Sequence, residues 1–275
     1  MSVAPSSLQT ALSRLTGFDI EGRRAGAIAD RVAPVIAAHG VRDGLDLTAR
    51  LRPGVDVPLV TALVDATVIK ETLFFRDRSP WDALRNTILP GLVEARRDRK
   101  RLRLWSAACS TGQEPYSLAM LLDEQTRALA GWTVDVVATD LSRSALQTAR
   151  AGVYSHFEVQ RGLSTNHLLR HFRKVSTGWE ISDALRAAVS FSERNLVDEF
   201  RSLGTFDIVC CRNVMLYMDV ARRRDIFARL AQIIAPDGYL VLGAAETIIG
   251  ITDDFASLPA SPSIFVHASR IRAAA

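Results

Sequence analysis

The chain has 275 residues, 48% of them hydrophobic and 23% charged, with a formal net charge of +4. That length buries a sizeable core in one large domain or two unequal ones, and the composition is that of a globular protein. No apolar run reaches the roughly 18–20 residues needed to span a bilayer, and the N-terminal MSVAPSSLQTALSRL lacks the basic, apolar and small-residue series of a secretion signal, so a cytoplasmic protein with no membrane insertion is expected.

The first predicted elements are helices. Ile28, Val32, Val35 and Ile36 fall at i, i+4, i+7 and i+8, one apolar stripe flanked by Arg23, Arg24 and Arg31, and Gly40 ends the helix. After the break at Pro53 and Gly54 a second apolar-periodic run follows, so residues 1–75 read as a small all-helical N-terminal domain. Residues 76–100 read as a linker. The basic run RRDRKRLR, Arg96 to Arg103, is weighed as a nucleic-acid patch against a solvated linker or helix end, and the second is favoured.

From there short apolar strands alternate with helical stretches, which predicts a parallel sheet covered by helices over residues 101–275. The strands are placed at Leu102 to Ser106, Val134 to Thr139, Val189 to Ser192, Phe206 to Cys211, Tyr239 to Gly243 and around Ile264 to Ala268. FRKVSTGWEIS, residues 172–182, has a glycine in a polar turn between two alternating runs and reads as an inserted β-hairpin. Cys109, Cys210 and Cys211 offer neither a disulfide framework nor a metal-ligand spacing, so reduced, half-buried thiols and no metal are expected.

Four motifs could carry chemistry. WSAACSTGQEPYSLAML runs from a strand through a small-residue loop into a helix, so a nucleotide-like ligand can approach the backbone; it lacks the glycine patterns of nicotinamide or P-loop sites, and taken alone Glu114 reads as an ordinary first-turn helix acid. Asp140 in VDVVATDLSRSALQTAR sits at a strand's carboxyl end, where an acid accepts hydrogen bonds from ribose hydroxyls or caps the next helix. FDIVCCRNVMLYMD ends a buried strand in Arg212 and Asn213, with Tyr217 one helical turn beyond Asn213; Asn213 could also be a helix cap. VIKETLFFRDRSPW carries Thr72 and Arg76 at i and i+4, where Arg76 could be a salt-bridging linker residue.

Taken in order, ETLFFRD, the SAACSTG loop with EPYSLAM, ATDLS, the Asn195–Leu196 pair, CRNVMLYMD and GYLVLGAAE closely resemble the CheR-type chemotaxis receptor methyltransferases, over nearly the whole chain. The resemblance implies an α/β fold: a Rossmann-like S-adenosylmethionine-dependent methyltransferase with a small all-helical N-terminal domain and a small inserted antiparallel β-subdomain. It implies contacts to S-adenosylmethionine, or its product S-adenosylhomocysteine, from Thr72, Arg76, Glu114, Asp140 as the ribose acid, Asn195 and Leu196 beside the adenine, Arg212 and Asn213. Tyr217 matches an active-site tyrosine. Lys70 stands where many members have asparagine, and no cofactor contact is carried onto it.

The reaction implied is methyl-ester formation on glutamate side chains of a chemoreceptor's cytoplasmic helical region, for adaptation. A glutamate is ionised at pH 7, so no general base is needed; Arg76 and Tyr217 are expected to orient the carboxylate. Arg23, Arg24 and Arg31 could dock an acidic helix. The hairpin looks too short to capture a receptor's C-terminal tether, so tether-independent action is expected. A catalytically silent adenosylmethionine-binding scaffold is the competing reading. A nucleic-acid methyltransferase is favoured only by the pI of about 9.2 and lacks an amine-methylating tetrapeptide, so no nucleic-acid partner is expected.

Overall fold

The computed structural model describes residues 5–20 and 22–274, excluding the side chains at positions 5, 22–24, 273 and 274. Four helices open the chain: α1 (Pro5–Thr16), α2 (Gly22–Ala38), α3 (Gly44–Arg50) and α4 (Val57–Thr67). Aspartates start the last two, Asp43 accepting the Asp46 N–H and Asp56 that of Leu59, which satisfies donors a helix start would otherwise orphan. Leu12, Val32, Leu47, Leu59 and Leu63 are fully buried, each stabilising by roughly 1.5–3 kcal/mol. Their core is continuous with Trp105, Leu196, Phe200 and Phe206, so these helices pack onto the larger unit instead of closing on themselves.

Next come α5 (Arg78–Ala83), a π-helical stretch Leu84–Ile88 and α6 (Leu89–Ala95), one continuous helical rod. Trp81, Leu84, Ile88, Leu89 and Leu92 bury against Leu102 and Leu104, so the stretch read as a linker covers the sheet. Arg96, at the head of the basic run, is only 5% exposed: it donates to Asp207 at 2.8 Å and to Asp237. Arg97, Arg99, Lys100 and Arg101 are exposed. A charge run read by composition alone conceals Arg96, the arginine of that run that the fold buries.

The chain then alternates through β1 (Arg101–Ala107), α7 (Gln113–Glu124), β2 (Thr133–Asp140) and α8 (Arg143–Ala151). The inserted subdomain holds β3 (Val153–Tyr154), α9 (His156–Gln160), α10 (Thr165–His171), β4 (Phe172–Val175), β5 (Gly178–Ile181) and α11 (Asp183–Ala187). The last elements are β6 (Val189–Glu193), β7 (Phe206–Cys211), α12 (Val220–Ile233), β8 (Ile234–Val241), β9 (Phe255–Leu258), β10 (Ser261–His267) and α13 (Ala268–Ala274). The seven-stranded sheet has the order β6-β2-β1-β7-β8-β10-β9, parallel from β6 to β8 and antiparallel at β10 and β9.

This is a Rossmann-like α/β fold. The sheet is parallel from β6 to β8 as expected and adds an antiparallel edge at β10 and β9; β9 and β3, neither placed from the sequence, pair only with β10 and β5. β8 begins at Ile234, five residues before Tyr239, through a Pro-Asp-Gly stretch that argues against a strand. The hairpin is present, with β3 added to make a three-stranded sheet. All three cysteines are fully buried, not half-buried, because Cys210 and Cys211 lie in the central strand β7, where both faces are covered. Among the described residues no helix is long and apolar enough to cross a membrane.

Candidate functional site

The sheet reverses its winding between β1 and β7, and in open α/β sheets the crevice outside the carboxyl ends at that point binds ligands. A cleft of about 840 Å³ lies there. Thr72, Arg76, Glu114, Asp140, Asn195, Leu196, Arg212, Asn213 and Tyr217 all line it, so the nine sequence-predicted residues converge on one space.

After β1 the loop is forced tight. Ala108 and Ser110 take φ of +56° and +51°, and Gly112 at +96° precedes α7. A Cβ on Gly112 would lie 2.9 Å from the Ala149 Cβ and 3.1 Å from its Cα, so only glycine fits. The turn aims the start of α7 at the cleft. Glu114 is therefore more than a dipole partner: one carboxylate oxygen accepts the Ser106 hydroxyl at 2.7 Å and the other the Arg212 guanidinium at 3.3 Å. Burial raises its pKa, opposed by the Arg212 charge and by the hydrogen bonds from Ser106 and Arg212.

Asp140 does not cap α8; Ser142 does. Its two oxygens accept the Ser110 N–H at 2.7 Å and the Ser142 N–H at 2.8 Å, which leaves further lone pairs for hydroxyl donors. Burial raises this carboxyl too, against those backbone bonds and the Lys70 charge. The Lys70 ammonium meets Ser144 at 2.7 Å and Asp65 at 3.3 Å, and its carbonyl accepts the Ser110 hydroxyl at 2.8 Å. Lys70 thus ties the upstream segment to the loops after β1 and β2.

Arg212 is the hub. Besides Glu114 it donates to the Arg76 carbonyl at 2.7 Å and to Asp77 at 2.9 Å, its side chain only 2% exposed. Phe75 and Asp77 have φ of +47° and +56°. Of the six non-glycine residues with positive φ among the described residues, five lie in these loops, and such backbone persists only where its surroundings over-determine it.

Asn213, at φ +60°, is not a helix cap, since Asp219 starts α12. Met215–Tyr217 is a 3₁₀ turn, so Tyr217 stands on a short turn instead of one α-helical turn beyond Asn213. The Phe18 ring packs against Tyr217 at 5.2 Å, and the Asp19 N–H donates to the Tyr217 carbonyl at 2.7 Å. The Asn195 amide donates to the Leu15 carbonyl at 2.9 Å, binding the loop after β6 to α1, while Leu196 beside it is buried. Sequence reasoning missed Glu246, whose carboxylate accepts four backbone N–H groups, those of Asn213, Val214, Met215 and Gly243. Its only signal was its place at the end of GYLVLGAAE.

Residues 70–264 match the family model described as CheR methyltransferase, SAM binding domain. Chemotaxis protein methyltransferase 1 of Pseudomonas aeruginosa is 38% identical over 264 residues, 94% of each chain. Chemotaxis protein methyltransferase Cher2 of Pseudomonas putida is 36% identical over 261 residues, again 94% of each. A chemotaxis protein methyltransferase of Vibrio parahaemolyticus is 35% identical over 240 residues, 86% of each.

Proposed function

The chain belongs to the CheR methyltransferase family, and from that premise we propose how its cleft performs the family's reaction. It is an S-adenosylmethionine-dependent protein-glutamate O-methyltransferase of chemosensory adaptation, with a chemoreceptor as substrate. The observation that carries the proposal is the pair of buried carboxylates, Glu114 and Asp140, lining one cleft at the sheet's carboxyl edge.

The residues present fit the cofactor. Burial makes both carboxylates reluctant to ionise, and a ligand bearing positive charge relieves that cost. Asp140 retains lone pairs for ribose hydroxyls, Leu196 gives an apolar wall for a base, and the small side chains of Ala108 and Ser110 admit close approach. Thr72, Arg76, Asn195, Arg212 and Asn213 complete the enclosure, Arg212 by fixing Glu114 and the Arg76 backbone. When bound, S-adenosylmethionine supplies an electrophilic sulfonium methyl group.

Arg76 and Tyr217 orient the incoming glutamate carboxylate, which is already the nucleophile at pH 7. Their contribution is alignment: a reacting oxygen held within roughly 3–3.5 Å of its target converts an encounter into a near-attack geometry. Too strong a pairing with Arg76 would lower the nucleophilicity of the oxygen, so its role is orientation.

The acceptor is a glutamate on the receptor's cytoplasmic helical region. Exposed Arg31 on α2 suits an acidic helix surface; the side chains of Arg23 and Arg24 lie outside the described residues. The two-residue connection between β4 and β5 supports tether-independent action in the cytoplasm. The test is incubation with labelled methyl donor and receptor cytoplasmic fragments. Base-labile release of methanol is expected, and amine-linked label would overturn the reading.

A further inference from the structure

A second cavity, of about 430 Å³, opens between α2 and the segment after α4. Phe18, Ile69 and Tyr217 line both it and the main cleft, so the two spaces share a wall. Its other apolar walls are Ala27 and Ile28. Ile69 is 47% exposed at the shared mouth, a large apolar side chain that no part of the described chain covers. Two charges stand in the lining, Asp19 and Arg31, and the Arg31 guanidinium is held by the Thr67 carbonyl at 3.1 Å and the Val68 carbonyl at 3.4 Å. Phe18 packs on the Tyr217 ring, and the Asp19 N–H holds the Tyr217 carbonyl, so the wall of this groove and the tyrosine proposed to orient the substrate move as one.

We infer that this groove seats an apolar side chain of the methyl-accepting helix, about one turn from the target glutamate, while Arg31 pairs with an acidic residue beside it. The inference rests on the glutamate-methylation reading and adds the chemistry that selects which glutamate is taken. A groove continuous with the reaction cleft and lined by Phe18, Ile28 and Ile69 gains by burying apolar surface that arrives together with the carboxylate. A helix places neighbours on one face three and four residues apart, so an apolar residue at that spacing enters the groove as its glutamate reaches Tyr217. Asp19 repels a second acid on its own side, which leaves Arg31 as the cation that fixes the direction of the helix. A glutamate without such a neighbour loses the anchor and is methylated poorly.

Ala27 is exposed on a helix, so its replacement by tryptophan fills the groove without disturbing the core. The full chain and its Ala27→Trp variant would be compared for methyl transfer to a cytoplasmic fragment of a chemoreceptor, and for S-adenosylhomocysteine affinity by calorimetry. Ala27→Trp is expected to lower kcat/KM for the receptor at least tenfold, mainly through KM, with product affinity unchanged. Because a misfolded Ala27→Trp would lose product affinity as well, Arg31→Ala and Arg31→Lys provide a second reading: the first raises the receptor KM and the second restores most of it. Ala27→Trp that binds product and methylates the receptor as the parent does overturns the groove assignment alone, as does equal loss in both Arg31 variants. A parent chain that binds product yet esterifies no receptor glutamate overturns the methylation reading and the groove with it.

Discussion

The Glu246 carboxylate accepts the backbone N–H of Asn213 at 2.7 Å, and Asn213 lies in the left-handed region at φ +60°. Asparagine tolerates that region better than most non-glycine residues, and the four N–H bonds to Glu246 hold the loop in it. A Cβ on Gly243 would meet the Asn213 side-chain amide nitrogen at 2.7 Å and a Glu246 carboxylate oxygen at 2.9 Å, so an alanine there has to displace two side-chain ends, one of them the acceptor of the four N–H groups. Glu246→Gln replaces an acceptor-only group with one bearing two donors, leaving part of the set unpaired at roughly 1–3 kcal/mol per group. Methylation is expected to fall at least tenfold in Glu246→Gln and Gly243→Ala alike. Steady-state kinetics would check it; a parent-like kcat in either variant would show that the loop tolerates rearrangement.

Tyr217 is proposed to orient the substrate carboxylate, and Phe18 supports its ring from the side facing α1. Tyr217→Phe keeps the packing and removes only the hydroxyl. One hydrogen bond to a charged group corresponds to roughly 1.5–3 kcal/mol, so receptor methylation should fall about tenfold to a hundredfold. Product affinity, read by calorimetry, should stay within twofold. A matching loss in both readouts would instead place the tyrosine against the cofactor.

Much of this site was legible in the sequence because its residues sit at strand ends or beside small-residue loops, where local pattern and position coincide. Asp140 and Arg212 are such cases. Their partners were not legible: Arg212 meets Glu114 and Asp77 across 98 and 135 residues, and nothing local announces such a pairing. Glu246 acts on backbone N–H groups, which no side-chain motif records. Residues 76–100 read as a linker because of the charge run that ends them, while the apolar faces of the helices within that stretch gain meaning only against β1. β9 and β3 depend on neighbours supplied by β10 and β5, so isolated short segments could not reveal them.

Burial raises the pKa of Glu114 and Asp140, and a cationic ligand binds best when both are ionised. Affinity should therefore be full above their raised values and fall as pH drops through them, by at most about tenfold per pH unit for each proton taken up. The ligand-free protein behaves oppositely. Groups whose folded pKa is raised favour folding below their unfolded values, and that contribution is lost as pH rises through the folded ones. Calorimetry with S-adenosylhomocysteine, whose ammonium is cationic, across a pH series should show affinity falling on the acid side, with a flatter profile in Asp140→Asn. A pH-independent affinity would separate these carboxylates from the ligand.

Arg96 stands at the opposite edge of the sheet from the cleft, joining α6 to Asp207 at the start of β7 and to Asp237 in β8. The Arg96–Asp207 pair is 5% and 7% exposed, and removing one member of a buried pair leaves an uncompensated charge, typically about 3–5 kcal/mol. Asp207 keeps the Arg99 guanidinium at 3.0 Å and the Arg103 N–H at 2.8 Å, so the loss belongs at the low end, about 3 kcal/mol. Arg96 also holds the Asp237 carboxyl below its ordinary range. That part of the stability is present above the unfolded pKa of Asp237 and is lost as pH falls through its folded value, so the deficit of an Arg96 variant narrows in acid. Arg96→Met should lower Tm by roughly 5–10 °C at neutral pH and by less in acid, with methylation per folded molecule unchanged. Thermal melts at several pH values together with initial rates would check this, and a variant that keeps its Tm but loses activity would mean the sheet's far edge communicates with the cleft.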